Sequence, residues 1–297
     1  MVELSSRLTA LATQNNATLA TTVASALARG KTDLRGEPRE VEWLLGYVLN
    51  WPRIRLFTHS EQLLTSDQQA HYETLLMRRI QGEPLPYLLG RWEFWSLELT
   101  VSPSVLIPRP ETELLVELAL ALIPLDVSWT VADLGTGSGA IALAVATERP
   151  ACRIIATDCC PAALTIAQAN AHRLGLANVE FRTGDWCAPL AGQCFNLILS
   201  NPPYVAVADP HLDDLRFEPQ LALTAGPDGL AAIRLIIATA RDYLYPGGRL
   251  LLEHGYDQGA SVRQLLTKRD YTELETRFDL EGRERVTLAK AGRFVMN

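Results

Sequence analysis

From Trp129 onward the chain repeats one pattern: a short apolar run, a turn, then a helix-forming segment. No other feature restricts the possible folds so strongly. Residues 130–134, 154–158, 179–182 and 195–200 are four such runs, and helical segments such as 161–174 separate them. Strands joined through helical crossovers lie parallel, and a parallel sheet is covered by helices on both faces. The expected architecture is α/β, a doubly wound and mostly parallel sheet that takes ligands at the carboxyl ends of its strands. Residues 250–253, after the turn Pro246-Gly247-Gly248, form a fifth strand, and segments 272–278 and 285–289 add two more.

The earlier part of the chain is built differently. Residues 38–51 set Val41, Leu44, Leu45, Val48 and Leu49 on one helical face. Ser66-Asp67-Gln68-Gln69 reads as a capping box opening a further helix that Gly82 ends. The alanine-rich segment 8–29 is also expected to be helical. Residues 1–89 thus form an N-terminal helical bundle without a catalytic constellation, a packing or substrate-docking module. Gly82-Glu83-Pro84-Leu85-Pro86 breaks the helical pattern and reads as a linker. Residues 92–101 then alternate, with Phe94 to one side and Trp95, Leu97, Leu99 and Val101 to the other, as in a hairpin. The expected division is a bundle over 1–89, a β-hairpin linker over 90–106 and the sheet domain over 107–297.

Composition removes several classes. A net charge of -7 argues against broad, sequence-independent nucleic-acid binding, which runs on clustered Lys and Arg. No apolar run reaches membrane-spanning length. The start, Met1-Val2-Glu3-Leu4-Ser5-Ser6-Arg7, lacks a signal or transit pattern, so a cytoplasmic location without a membrane partner is expected. Cys152, Cys159, Cys160, Cys187 and Cys194 form no regular framework and read as reduced, small apolar fillers. His59, His71, His172, His211 and His254 show no ligand spacing, so no metal is expected, and His254 reads as structural rather than as a base.

Two turns carry the chemistry. Asp133-Leu134-Gly135-Thr136-Gly137-Ser138-Gly139 ends the first strand, and its glycines let the backbone approach a ligand closely. Gly135, Gly137 and Ala140 also fit a G-x-G-x-x-A dinucleotide fingerprint, so this loop alone leaves the ligand open. Asp158, ending the second strand, suits ribose hydroxyls in either case, and Gly184-Asp185-Trp186 offers a carboxylate and an indole to an adenine. After the fourth strand comes Asn201-Pro202-Pro203-Tyr204. Neither proline carries an N–H, and each keeps the residue before it out of the helical region. The resulting stiff turn has a carboxamide at one end and a phenol ring at the other, which suits a planar amino group. A hydride-transfer enzyme has no use for it; a methyltransferase acting on a planar nitrogen does. Upstream, Ile107-Pro108-Arg109-Pro110-Glu111-Thr112-Glu113 is a rigid turn whose charges suit either ligand contact or an ordinary acidic helix entry.

In this order, these segments resemble the class I S-adenosylmethionine-dependent methyltransferases. Residues 107–113 resemble the Pro-Arg-Pro-Glu-Thr-Glu signature of the protein-(glutamine-N5) methyltransferases that modify peptide chain release factors. Phe217-Glu218-Pro219, Gly226-Pro227-Asp228-Gly229-Leu230, Gly282 and Arg285-Val286 match further segments of that family, so the resemblance covers essentially the whole chain. It implies a seven-stranded class I methyltransferase sheet with an N-terminal helical bundle and a β-hairpin linker, in a bacterial cytoplasmic enzyme. It implies S-adenosyl-L-methionine as cofactor, S-adenosyl-L-homocysteine as product, and no metal. The partner it implies is a class 1 release factor, methylated on the side-chain nitrogen of the Gly-Gly-Gln glutamine to modulate translation termination. Gly135, Thr136, Gly137, Ser138, Gly139, Asp158, Trp186 and Asn201 would then surround the cofactor. Asn201, Pro202 and Tyr204 would be catalytic, with Pro203, Arg109 and Glu111 joining them around the substrate. Glu218 and Pro219 would close over the substrate or pack the sheet edge. The rival readings are an amino-group methyltransferase acting on adenine or guanine in nucleic acid, a binding protein without turnover, and a dinucleotide oxidoreductase.

Overall fold

The computed structural model describes residues 21–34 and 37–292. Contacts divide the chain into two compact units, residues 1–89 and 90–297. No helix among the described residues is long and apolar enough to cross a membrane.

The smaller unit contains α1 (Val23–Asp33), α2 (Pro38–Leu49), α3 (Arg53–Thr58), α4 (Ser66–Ile80) and α5 (Leu85–Leu89). Most of the helix expected over 8–29 lies outside the described residues. The 3.6-residue spacing of α2 does what it should: Val41, Leu44, Leu45 and Leu49 are buried against Leu56, Leu75 and Leu76. Two expectations are corrected. The capping box is centred on Thr65, not Ser66: the Thr65 hydroxyl accepts from Gln68 N at 3.2 Å, and Gln68 Oε1 accepts from Thr65 N at 2.9 Å. Thr65 has the extended backbone a cap requires, whereas Ser66 is already helical. The presumed linker carries α5, with Leu85 and Leu88 in the bundle core. Prolines in a first helical turn displace no hydrogen bond, because those N–H groups have no partner within the helix.

The larger unit opens with an antiparallel hairpin, β1 (Arg91–Phe94) and β2 (Leu97–Thr100). Its turn falls at Trp95 and Ser96, both at positive φ, without the glycine or asparagine that usually marks such a turn. Glu113 Oε1 accepts from Trp95 N at 2.9 Å, and Asn170 Oδ1 accepts from Thr100 N at 2.7 Å, which ties the hairpin down at both ends. There follow α6 (Glu113–Leu122), β3 (Thr130–Leu134), α7 (Ala140–Glu148), β4 (Arg153–Asp158), α8 (Pro161–Arg173), β5 (Val179–Thr183) and β6 (Phe195–Ser200). The chain ends with α9 (Ala231–Ala240), β7 (Leu244–Glu253), α10 (Gly259–Thr267), β8 (Tyr271–Phe278) and β9 (Glu284–Ala291).

The seven-stranded sheet has the order β5-β4-β3-β6-β7-β9-β8. The first five strands are parallel, and β9 runs antiparallel to both its neighbours. Alternate residues serve opposite faces. Val131, Leu197, Leu199 and Leu251 pack with α6 and α7, while Ala132, Leu134, Ile198, Leu250 and Leu252 pack with α9 and α10. The fifth strand is longer than expected, because Pro246-Gly247-Gly248 lies inside it as a bulge. Phe195 pairs with Leu244, but Leu197 pairs with Arg249. A Cβ on Gly248 would stand 3.0 Å from the Phe195 carbonyl oxygen, so a larger residue there would crowd the bulge. The cysteines divide: Cys152 and Cys187 are buried fillers, but Cys159 and Cys194 are exposed, each sitting where the chain leaves or approaches a strand.

Connections leave β3 toward β4 and β5 on one side and reach β6 and β7 on the other. The order therefore reverses between β3 and β6, and their carboxyl ends open on one crevice.

Candidate active site

A cavity of about 590 Å³ occupies that crevice, within the range of small-molecule sites. The β3–α7 turn forms its floor. Gly135, Gly137 and Gly139 all have positive φ, and Gly135, Thr136, Gly137 and Ser138 line the cavity. A Cβ on Gly135 would come within 3.2 Å of the Trp186 ring. One on Gly137 would meet no protein atom within 4 Å and would enter open space. The first glycine admits the indole; the second leaves room for a ligand against bare backbone.

Two acids shape this floor. Asp133, fully buried, accepts from the Thr136 hydroxyl at 2.6 Å and from Ala142 N at 3.2 Å through Oδ2, while its Oδ1 has no hydrogen-bond partner among the described residues. Burial, reinforced by the charge of Asp158, pushes its pKa up to about 7 against those two bonds. Asp158 accepts from Gly137 N at 2.9 Å and from Cys160 N at 2.8 Å. Each of its oxygens keeps a lone pair for a ribose hydroxyl, and Asp158, Asp185 and Trp186 all line the cavity.

The opposite wall is the turn after β6. Asn201 and Pro203 line the cavity, Pro202 is buried, and Tyr204 packs against the core under α9 and α10. Burial raises the Tyr204 pKa to about 12, so its phenol stays neutral. Gln258 donates from Nε2 to the Tyr204 carbonyl at 3.0 Å. A Cβ on Gly229 would fall 2.1 Å from that same carbonyl oxygen, so the 226–230 segment can only pass this turn at a glycine. Asn201 donates from Nδ2 to the Thr112 hydroxyl at 3.0 Å. Its Oδ1 makes no hydrogen bond among the described residues.

The 107–113 segment is held from the far side of the unit. Glu218, buried, accepts from Ile107 N at 3.1 Å and from the Arg109 guanidinium. Arg109 and Pro219 reach the cavity wall, whereas Glu111 does not line it; nor do Gly139, Pro202 and Tyr204. Glu218 is thus a clamp between two chain segments, with Pro219 lining the cavity. His254 is buried with Nδ1 2.9 Å from the Gly255 carbonyl and Nε2 2.8 Å from the Thr287 hydroxyl, and burial lowers its pKa. It is a neutral structural residue.

Two residues of this wall escaped the sequence reading. Thr112 is buried beneath Asn201, and Glu253 is buried at the end of β7. Burial pushes the Glu253 pKa up to about 7, opposed by the Thr112 hydroxyl and the Arg285 charge and reinforced by Glu111. The available signal was a lone acid ending the apolar run 250–252.

A Rossmann-like sheet of this order, with a glycine cradle and an Asn-Pro-Pro-Tyr turn on one crevice, defines a class I methyltransferase. The crystal structure of a methyltransferase from Pyrococcus furiosus shares the fold, with a TM-score of 0.53 at 18% identity over 77% of this chain and 100% of that one. So does the Thermus thermophilus 16S rRNA N2 G1207 methyltransferase, with a TM-score of 0.51 at 20% identity over 68% and 50% of the two chains. Residues 24–90 match the PrmC N-terminal domain and residues 125–282 a methyltransferase domain. The release factor glutamine methyltransferase of Coxiella burnetii (strain RSA 493 / Nine Mile phase I) is 48% identical over 262 residues, 88% of this chain and 95% of that one. That of Escherichia coli (strain K12) is 49% identical over 254 residues, 85% and 91% of the two chains. The chain belongs to the release factor glutamine methyltransferase family.

Proposed function

We propose that this enzyme methylates the side-chain amide nitrogen of the glutamine in the Gly-Gly-Gln loop of class 1 release factors, using S-adenosyl-L-methionine. The observation that carries the reading is Asn201: one of its amide N–H groups is taken up by Thr112, and its oxygen is left unbonded among the described residues, on the wall of a glycine-floored cavity. The open space over Gly137, the free lone pairs of Asp158 and the indole of Trp186 fit a methionine chain, a ribose and an adenine. Bound there, the cofactor supplies a methyl group already activated as a sulfonium.

A carboxamide nitrogen is a poor nucleophile, because its lone pair is delocalised into the carbonyl. Asn201 Oδ1 and the Pro202 carbonyl are acceptors for its two N–H bonds. Held by both, the nitrogen is oriented toward the cofactor side of the crevice and stabilised as positive charge grows on it. Tyr204 frames the amide plane from the core side, and Arg109, clamped by Glu218, shapes the entrance. The surplus proton leaves to water after transfer, and S-adenosyl-L-homocysteine remains. No group in this scheme calls for a metal. The N-terminal bundle serves as a docking module for the folded release factor, and the reaction belongs in the bacterial cytoplasm, where release factors act.

The test is transfer of a labelled methyl group, with purified release factor offered beside duplex DNA and ribosomal RNA. Label on the release factor, lost when its Gly-Gly-Gln glutamine is replaced, is the expected result. Label on nucleic acid alone overturns the substrate and leaves the reaction class standing.

A further inference from the structure

Thr112 stands at the N-cap position of α6, yet its hydroxyl caps nothing. The backbone there is helical rather than extended, because the turn Pro110–Thr112 leads into α6 without a break. A threonine hydroxyl at a helix start ordinarily accepts a bond from the first-turn backbone. This one is 4% exposed and accepts from Asn201 Nδ2 instead.

A hydroxyl both donates and accepts. With Asn201 donating to it, the Thr112 proton needs an acceptor of its own. Behind it lies Glu253, 1% exposed, with neither carboxylate oxygen hydrogen-bonded among the described residues. The sheet register explains why Glu253 is there. Ser200 on β6 pairs with Leu252 on β7, so the next residue on each strand is Asn201 and Glu253 respectively. The hydroxyls of Thr112 and Tyr204 stand beside this acid, close enough to lower its pKa against the effect of burial, though neither is bonded to it. An acid left without partners at the heart of a sheet costs stability, and this one sits one strand away from the reacting group.

We infer that Thr112 and Glu253 are positioning residues that set the orientation of the Asn201 carboxamide: the Thr112 hydroxyl, which accepts from Asn201 Nδ2, turns its own proton to the unpartnered Glu253 carboxyl. An asparagine amide can rotate by half a turn at little steric cost. Rotated, Asn201 would present two donors to the incoming amide NH2, donor against donor, and the site would not hold its substrate. Glu253 decides between the two orientations. It gives the Thr112 proton an acceptor, so the hydroxyl oxygen is available to accept from Nδ2, and Oδ1 is directed into the cavity. The inference rests on the reading of Asn201 as the acceptor for the substrate nitrogen, and it adds the two residues that make it one.

The experiment is a kinetic cycle on the full-length enzyme with release factor as substrate. Thr112→Val keeps the shape and removes the hydroxyl. It should lower kcat by about 10- to 100-fold, the cost of one misdirected buried amide. The cofactor dissociation constant and the melting temperature with cofactor bound should hardly move. Thr112→Ser restores the hydroxyl and should return kcat to within about threefold of the wild type. Glu253→Gln offers a donor beside its acceptor and should cost about 3- to 10-fold in kcat. The double variant Thr112→Val with Glu253→Gln should be no worse than Thr112→Val alone, as members of one chain are not additive. Unchanged kcat in Thr112→Val, failure of Thr112→Ser to rescue, or additive losses in the double variant each overturn the relay. If Thr112→Val does not fold, Thr112→Ala takes its place in the same cycle. Asn201→Ala separates the two claims. Inactive Asn201→Ala beside a fully active Thr112→Val removes the relay alone, whereas near-normal turnover in Asn201→Ala removes the reading beneath it.

Discussion

The two walls of the crevice are built on opposite plans. The cofactor wall is made from local pieces: Thr136 bonds Asp133 three residues away, Ala142 bonds it from nine away, and Gly137 bonds Asp158 from twenty-one away. The substrate wall is made from distant ones: Asn201 reaches Thr112 across 89 residues, Arg109 reaches Glu218 across 109, and Gln258 reaches Tyr204 across 54. The first wall spends its backbone N–H groups within itself, on Asp158 and the Thr157 carbonyl, and presents the free lone pairs of Asp158. The second presents oxygens, because its prolines have no N–H to offer. In the proposed reading, the cofactor is met by a short, self-contained loop, and the substrate-facing groups are set by segments that come together only once the sheet is complete.

The largest effect should come from the substrate wall's side-chain acceptor. Asn201→Ala should lower turnover on release factor by about 10³-fold, comparable to losing one preorganised transition-state partner, while the cofactor dissociation constant stays within a fewfold of wild type. Equal losses in both quantities would mean that the walls are not separable.

Glu253 offers a pH test of the same wall. Its folded pKa of about 7 lies above the ordinary 4.5. The folded protein therefore binds more protons than the unfolded chain between those values, so this residue's contribution is fully present below pH 4.5 and is lost as pH rises through 7. Burial is the first cause, with Glu111 adding to it and Thr112, Arg285 and Tyr204 opposing. Glu253→Gln should flatten the stability profile and gain up to about 3 kcal/mol on the wild type between pH 5 and pH 8 in urea unfolding. Parallel profiles for the two proteins would remove the buried acid from the account.

Removing the clamp should be next in size. Glu218→Ala leaves Arg109 and Ile107 N without their partner and should raise KM for the release factor by about 30-fold, near 2 kcal/mol. A rise in the cofactor constant of the same size would instead assign Arg109 to the cofactor wall. Asp158→Ala should weaken cofactor binding about tenfold, with KM for the release factor unchanged at saturating cofactor. Calorimetric titration decides it, and an unaltered affinity would place the ribose elsewhere. The smallest effect should be Thr136→Val, which takes one of two bonds from Asp133 and should cost about 1 kcal/mol in thermal unfolding.

How much could be read in advance follows the same division. The runs that became β3, β4, β5 and β6 carry their burial in their own composition, and Gly135 to Gly139 announces a turn that bare backbone must make. The hairpin turn at Trp95 and Ser96 could not be located, since nothing in those side chains favours positive φ; Glu113 holds the turn at Trp95 N and Asn170 holds the end of β2. Pro246-Gly247-Gly248 looked like a turn because its residues suit one, but β6 continues beside it and draws it into the sheet as a bulge. The cap shifted from Ser66 to Thr65 because both residues can cap and only the backbone path chooses between them. Glu218 was visible as part of a matching segment, but not as the clamp on Arg109.

The sequence by itself determined most of the sheet's strands, because strand burial and turn chemistry are encoded within a dozen residues, but not the helix at Leu85–Leu89 or the bulge inside β7. It also determined the reactive vocabulary: a glycine floor, an acid at the end of β4, and a carboxamide held rigid by two prolines. Only the tertiary structure decided which way that carboxamide faces. That depends on Thr112 beneath Asn201 and, in the proposed relay, on Glu253 of the neighbouring strand, groups whose meeting no local signal announces. Hydrogen bonds are directional, so the orientation of a site belongs to whatever lies behind it, and in this protein those residues come from opposite ends of the larger unit.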